Sequence, residues 1–207
     1  MTVFSAPSPK QLLLLRVALH VASLLPLTWM LSGFIAGSSG NSPVRVLLWS
    51  SGDWSLYMLC ITLTVTPLRC LSGWNWLSGF RRLPGMYAFF YGVLHFGAYL
   101  WLRRSEDLGQ IFGRIVSSPL LLTGFIALAI MLPLAATSTW RVFQMMGKTA
   151  WQWLHRLTYL GAVLVVAHYW LVKARMHDTT QPTLIAVIVA VLLLFRLGWF
   201  LAHRSKR

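Results

Sequence analysis

Acidic side chains are almost missing from this chain. Of 207 residues only four are acidic (Asp53, Glu106, Asp107 and Asp178), against 18 Lys and Arg. Charged residues of both signs make up 11% of the sequence, less than half of the roughly 25% usual in a soluble domain. That shortage excludes a water-exposed globular fold. Cysteine is scarce too. Cys60 and Cys70 form no C-x-x-C pair, which leaves a thiol redox motif and a covalently attached c-type haem unsupported, and no redox role is expected of either. No G-x-G-x-x-G occurs, so a built-in nucleotide domain is absent. There is no obvious internal repeat and no long polar linker, so a sizeable second domain has no room. The first apolar run is too long for a signal peptide and carries no convincing cleavage site.

What the chain has instead is apolar length. It is 57% hydrophobic, with a mean hydropathy of +0.66. Six apolar runs stand out, at about 12–36, 54–68, 83–102, 118–136, 152–172 and 181–202. Each approaches the roughly 20 residues that cross a hydrocarbon core of roughly 30 Å, although 54–68 is short. The expectation is an all-α integral membrane protein, a six-helix transmembrane bundle forming one domain over residues 1–207. The net charge of +14 would suggest nucleic acid in a soluble protein. Here the basic residues sit between apolar runs, where they fix topology and meet anionic lipid. With the N-terminus inside, 12 of the 18 Lys and Arg fall in inner segments and six in outer loops (Arg45, Arg103, Arg104, Arg114, Lys173 and Arg175). That division predicts both termini in the cytoplasm. All four acids map to outer loops. The longest loop, about 137–151, mixes Trp140, Phe143, Met145 and Met146 with Arg141 and Lys148, which suits an interfacial amphipathic turn or a docking surface.

Histidine is the chemistry-bearing residue. Trp151–Trp170 carries both His155 and His168, and the third run carries His95. A histidine inside a bilayer is costly and is by default a functional-site hypothesis. Imidazole is the commonest metal ligand and a usual axial ligand of haem iron. At a 1.5 Å rise per residue, His95 lies roughly 18 Å and His168 roughly 22 Å from the inner surface. Both helices run the same way, so one haem b ligated on both faces is geometrically reasonable. His155 lies about 13 residues lower, roughly 20 Å. At its level the third helix offers Arg81, so a second haem there would have Arg81, water or nothing opposite His155. Arginine stays protonated and more naturally pairs with a propionate. On an ideal helix His155 and His168 point roughly 140° apart. Both face haem only if the helix is distorted near Gly161 or the two sites lie at different azimuths. Tyr99 shares the face of His95. His20 suits a helix–helix hydrogen bond or a cofactor contact, and His177 and His203 suit solvated positions.

Several stretches together carry a resemblance. These are LHVASLLPLTW in the first run, RRLPGMYAFFYGVLHFGAY in the third, and ATSTW, GKTAWQWLHRLTYL and AHYW around the fifth. Over nearly its whole length the chain resembles the MsrQ (YedZ) family, haem-binding membrane subunits of the bacterial periplasmic methionine sulfoxide reductase system. That family lies within the ferric-reductase-like transmembrane superfamily. The resemblance implies a b-type cytochrome of the bacterial inner membrane. Its partner would be MsrP, a periplasmic molybdopterin catalytic subunit that reduces methionine sulfoxide in oxidised proteins. The implied electron donor is the quinone pool or a cytosolic flavin reductase, and FMN is a further implied cofactor with no locatable site. Superfamily members usually place two histidines on each of two helices. Here His155 and His168 match one helix and His95 the outer position of the other, while Arg81 stands near the place of the missing fourth. The cytosolic flavin and nicotinamide domain of those relatives is absent, so the electron donor must be external.

Other readings are a proton-coupled transporter using intramembrane histidines, a scaffold holding haem structurally, or another ferric-reductase-like or cytochrome b carrier. A proton relay usually needs carboxylates or broken helices at mid-membrane, and the mapping of every acid to a loop argues against it.

Overall fold

A computed structural model describes residues 7–36 and 42–204; Lys206 and Arg207, counted above among the inner basic residues, lie outside the described residues. All regular structure described is helical. The helices are α1 (Pro9–Ala36), α2 (Pro43–Ser72), α3 (Arg82–Leu102), α4 (Leu108–Ser117), α5 (Pro119–Ala136), α6 (Trp140–Met146), α7 (Lys148–His155), α8 (Leu157–Ala174) and α9 (Thr180–Arg204), with a 3-10 turn at Asn75–Phe80 before α3. Helix is what apolar sequence must adopt in lipid, because every backbone N–H and C=O has to be satisfied within the segment. Five stretches are long and apolar enough to cross a membrane: Pro9–Gly33, Pro43–Ser72, Pro119–Ala136, Lys148–Ala174 and Thr180–His203. The expected third span is helical too, as the 21 residues of α3, but it is not one of those five.

The boundaries follow local chemistry. Pro43 and Pro119 open α2 and α5, where a missing N–H costs nothing. Gly73 closes α2 at φ 73°, a left-handed position that glycine adopts without strain, and its N–H reaches back to the Arg69 carbonyl. The second span is therefore 30 residues long, extending past 54–68 at both ends. That extension corrects the placement of Asp53, which lies within α2 rather than in an outer loop. The connection at 103–118 holds an unexpected helix, α4, whose N-cap Asp107 accepts a hydrogen bond from the Gln110 N–H at 2.8 Å. The connection at 137–151 is the short helix α6 followed by Gly147 at φ 75°.

Four helices make the core: α2 packs most extensively on α3, and α5 on α8, each pair antiparallel. The helix α9 lies against α8 and α2, and α1 against α2 and α3. Small residues let the central helices approach. Ala88 and Ala162 are fully buried, and the Ser55 hydroxyl donates to the Ala88 carbonyl at 2.8 Å. Tyr91, also fully buried, donates to the Ser23 carbonyl at 2.6 Å and ties α3 to α1. Among the described residues one charged side chain enters this core. Arg196 of α9, 8% exposed, donates to the Leu63 carbonyl at 2.7 Å and the Thr62 carbonyl at 3.3 Å. Leu63 lies four residues before Pro67, inside α2. Proline has no N–H, so the Leu63 carbonyl is the one its helix cannot satisfy. The guanidinium supplies the missing donor.

Candidate functional site

The four core helices enclose two cavities that meet at Met131. The upper one lies at the end of the bundle holding residues 103–118 and has a volume of about 510 Å³. The lower one lies at the end holding residues 137–147 and has about 80 Å³. Cofactor-sized pockets run from about 300 to 1,000 Å³, so only the upper cavity is in that range.

His95 and His168 both line the upper cavity, as their matched depths predict. Their ring centroids are 6.0 Å apart and the ring planes are inclined by 82°. A metal bound by two opposed imidazoles at about 2.0–2.1 Å through ring nitrogens sets their centroids roughly 6 Å apart. The nitrogens are also sorted. Nδ1–H of His95 donates to the Leu48 carbonyl of α2 at 2.8 Å, and Nδ1–H of His168 donates to the Leu120 carbonyl of α5 at 2.7 Å. Metal-ligating histidines almost always tie down the second nitrogen in this way, which fixes the tautomer and leaves the other lone pair for the metal. No group of three or more His, Cys, Asp or Glu that could hold a metal ion exists among the described residues. Two imidazoles alone call for a metal that brings its own equatorial donors, and porphyrin iron is such a metal. Tyr99 adds an independent sign. Its Oη lines the same cavity, buried, without a hydrogen-bond partner. Lys173 and Arg175 lie at the cavity's edge, with Asp53 also in the lining. An orphan phenol and two cations are groups that would meet the carboxylates of a haem. The residues present therefore fit the group.

The lower cavity brings His155 and Arg81 together, as expected, with Arg82 beside them. His155 is engaged there. Its Nε2 pairs with Thr137 Oγ1 at 3.2 Å, and Trp151 stacks on its ring at 3.8 Å between centroids. Arg82 lies over Trp151 and Phe143 at 5.1 and 5.5 Å. In this arrangement the residues do not fit a haem. Of the two alternatives, a distortion near Gly161 is not what the structure shows; the helix is irregular at Arg156, between α7 and α8. There the Arg156 N–H reaches both Gln152 and Trp153 carbonyls, and the Tyr159 N–H bonds the Arg156 carbonyl three residues back. Gly161 sits in regular helix, where a Cβ would make ordinary contact with Ile130. His168 and His155 line different cavities at different levels. His20 pairs with Tyr87 Oη at 2.9 Å, a helix–helix hydrogen bond.

The sequence reading missed Leu48, Leu120, Gly52, Gly124, Lys173 and Arg175 as site residues. Carbonyl acceptors leave no mark in a sequence. The glycines inside α2 and α5 did leave one, since glycine in an apolar helix often marks close backbone approach.

A half-buried pair of imidazoles, 6.0 Å apart between two antiparallel helix pairs, points to the class. The chain matches the family model for the ferric reductase like transmembrane component over residues 51–166. Among its relatives is the protein-methionine-sulfoxide reductase heme-binding subunit MsrQ of Herminiimonas arsenicoxydans, 44% identical over 200 residues, covering 97% of this chain and 92% of that protein. The subunit of the same name from Ralstonia nicotianae is 41% identical over 191 residues, covering 92% and 88%. The chain belongs to the MsrQ family and is a multi-pass membrane protein. No solved structure matches it significantly.

Proposed function

We infer that the chain is the electron-carrying membrane subunit of a methionine sulfoxide reductase system in the bacterial inner membrane, and that it holds at least one haem b in the upper cavity. The observation that supports this most directly is the pair His95 and His168, 6.0 Å between centroids, each with Nδ1 tied to a carbonyl and Nε2 left without a partner. Haem bound there would supply a one-electron couple, and two imidazole ligands would suit transfer rather than oxygen activation. The protein's part is positional. His95 and His168 would hold the iron, the apolar walls would exclude water, and Lys173, Arg175 and Tyr99 would meet the carboxylates of the group. A second haem beside His155 would require it to give up its Thr137 hydrogen bond and its stacking on Trp151.

The proposed arrangement has six spans, with α3 as the sixth and both termini in the cytoplasm. The upper cavity then lies toward the periplasm, where a soluble molybdopterin partner would accept electrons. They enter from the quinone pool or a cytosolic flavin reductase at the lower end. The test is a stopped-flow experiment on the purified chain. Bound haem should be reduced by a quinol or by a flavin reductase with NADPH, then reoxidised on adding the partner and methionine sulfoxide. Haem that reduces but never reoxidises with the partner would overturn the assignment to electron delivery.

A further inference from the structure

The two imidazoles are held by the same device built twice from unrelated sequence. In α2 the acceptor is the carbonyl of Leu48, and four residues on stands Gly52. In α5 the acceptor is the carbonyl of Leu120, and four residues on stands Gly124. Helix geometry makes the N–H of residue i+4 the normal partner of each carbonyl. Each glycine therefore sits directly beside the oxygen that the histidine must reach. A Cβ at Gly52 would stand 2.8 Å from Nδ1 of His95 and 3.1 Å from its Cε1. A Cβ at Gly124 would stand 2.8 Å from both Nδ1 and Cε1 of His168. Contacts under 3.0 Å force a shift, and neither ring can swing aside while Nε2 is bound to iron. Glycine is the least suitable residue for a helix interior after proline, so its presence at both points has a local cause.

We propose that Gly52 and Gly124 are positioning residues: by leaving out a side chain, each exposes a helix carbonyl to the Nδ1 proton of its histidine and so tunes the iron through the ligand. A hydrogen bond at the remote nitrogen raises ligand basicity, which favours ferric over ferrous iron. The two carbonyls therefore hold the potential of the haem down. Gly97 of α3 and Gly198 of α9 provide the contrast, with nothing within 4 Å of an added Cβ.

This inference rests on ligation by His95 and His168, and the test separates the two. Full-length protein carrying Gly52→Ala, Gly124→Ala, Gly97→Ala or Gly198→Ala is purified with its haem. Haem content, the ferric EPR spectrum and the midpoint potential are measured for each. Wild type without a low-spin bis-imidazole signal would refute the ligation itself. With that signal present, Gly52→Ala and Gly124→Ala are each expected to move the midpoint potential positive and to add a high-spin fraction, or to lose haem from a bundle that melts like the controls. Gly97→Ala and Gly198→Ala should match wild type. Unchanged potential and spectrum in both test variants would overturn the proposal. Should a test variant not fold, pulsed EPR of the wild type decides. The quadrupole coupling of the remote imidazole nitrogens reports hydrogen bonding at Nδ1 without any substitution. Coupling typical of a bonded nitrogen supports the device, and coupling typical of a free one overturns it.

Discussion

At the scale of single residues, histidine in lipid was a legible signal, and its reading rested on cost: few side chains are so expensive there without a purpose. That cost singles out His95, His168 and His155, and helix rise puts the first two at one level. What orients them was not legible. The acceptors for their Nδ1 protons are backbone oxygens 47 and 48 residues away in sequence, and a carbonyl is common to every residue. His155 shows the limit of the same reasoning, since nothing in its sequence context announced Thr137 and Trp151 as partners. The difference predicts different phenotypes. His95→Ala and His168→Ala should each abolish the low-spin haem spectrum, whereas His155→Ala should leave it largely present. Pyridine haemochrome content and optical spectra of the three variants check this, and loss of the low-spin signal in His155→Ala alone would exchange the roles. The ring planes make a second prediction. If both ligate iron as proposed, imidazoles inclined by 82° would leave the two iron dπ orbitals they meet nearly equal in energy. The ferric protein should therefore give a highly anisotropic low-spin EPR signal, and an ordinary rhombic spectrum would show the rings turned parallel.

At the scale of elements, hydropathy located every long helix, because apolar length is what lipid demands of a segment. It failed where polar and apolar residues alternate. Ser50, Ser51 and Asp53 lowered the hydropathy at the start of α2, so that span was drawn short. The amphipathic α4 was likewise hidden inside a connection. Arg196 was counted among the inner basic residues that fix topology, yet it serves the backbone of α2 where Pro67 breaks the ladder. Its removal leaves a buried carbonyl unpaired. Arg196→Met should therefore destabilise the bundle by about 1–3 kcal/mol. In a Pro67→Ala background the helix regains its own N–H, and the same substitution should cost clearly less. Thermal melts of the four proteins in one detergent form the cycle. Equal costs in both backgrounds would show that Arg196 works through some other contact.

At the scale of the whole molecule, the asymmetry of basic residues supports a direction for the chain in the membrane. A reporter fused after Arg207 should behave as cytoplasmic, and periplasmic activity there would invert the proposed upper and lower ends. The direction matters because the two histidine levels are far apart. From His155 to the upper pair is roughly 20 Å of helix, most of the hydrocarbon thickness. On the proposed route an electron climbing from the lower end to the upper cavity would be a charge crossing that dielectric, and a full crossing is worth about 2.3 kcal/mol per 100 mV. Two-thirds of it comes to roughly 1.5 kcal/mol. With the cytoplasmic side negative, the field pushes electrons outward. Delivery should then draw on membrane energisation as well as on the difference in redox potential. In oriented vesicles, an imposed inside-negative potential should raise the fraction of haem reduced at a fixed donor ratio, and collapse of the potential by an ionophore should lower it. The few helices that hold the imidazoles apart from the electron's entry point would thereby couple the repair of oxidised methionine to the energetic state of the cell.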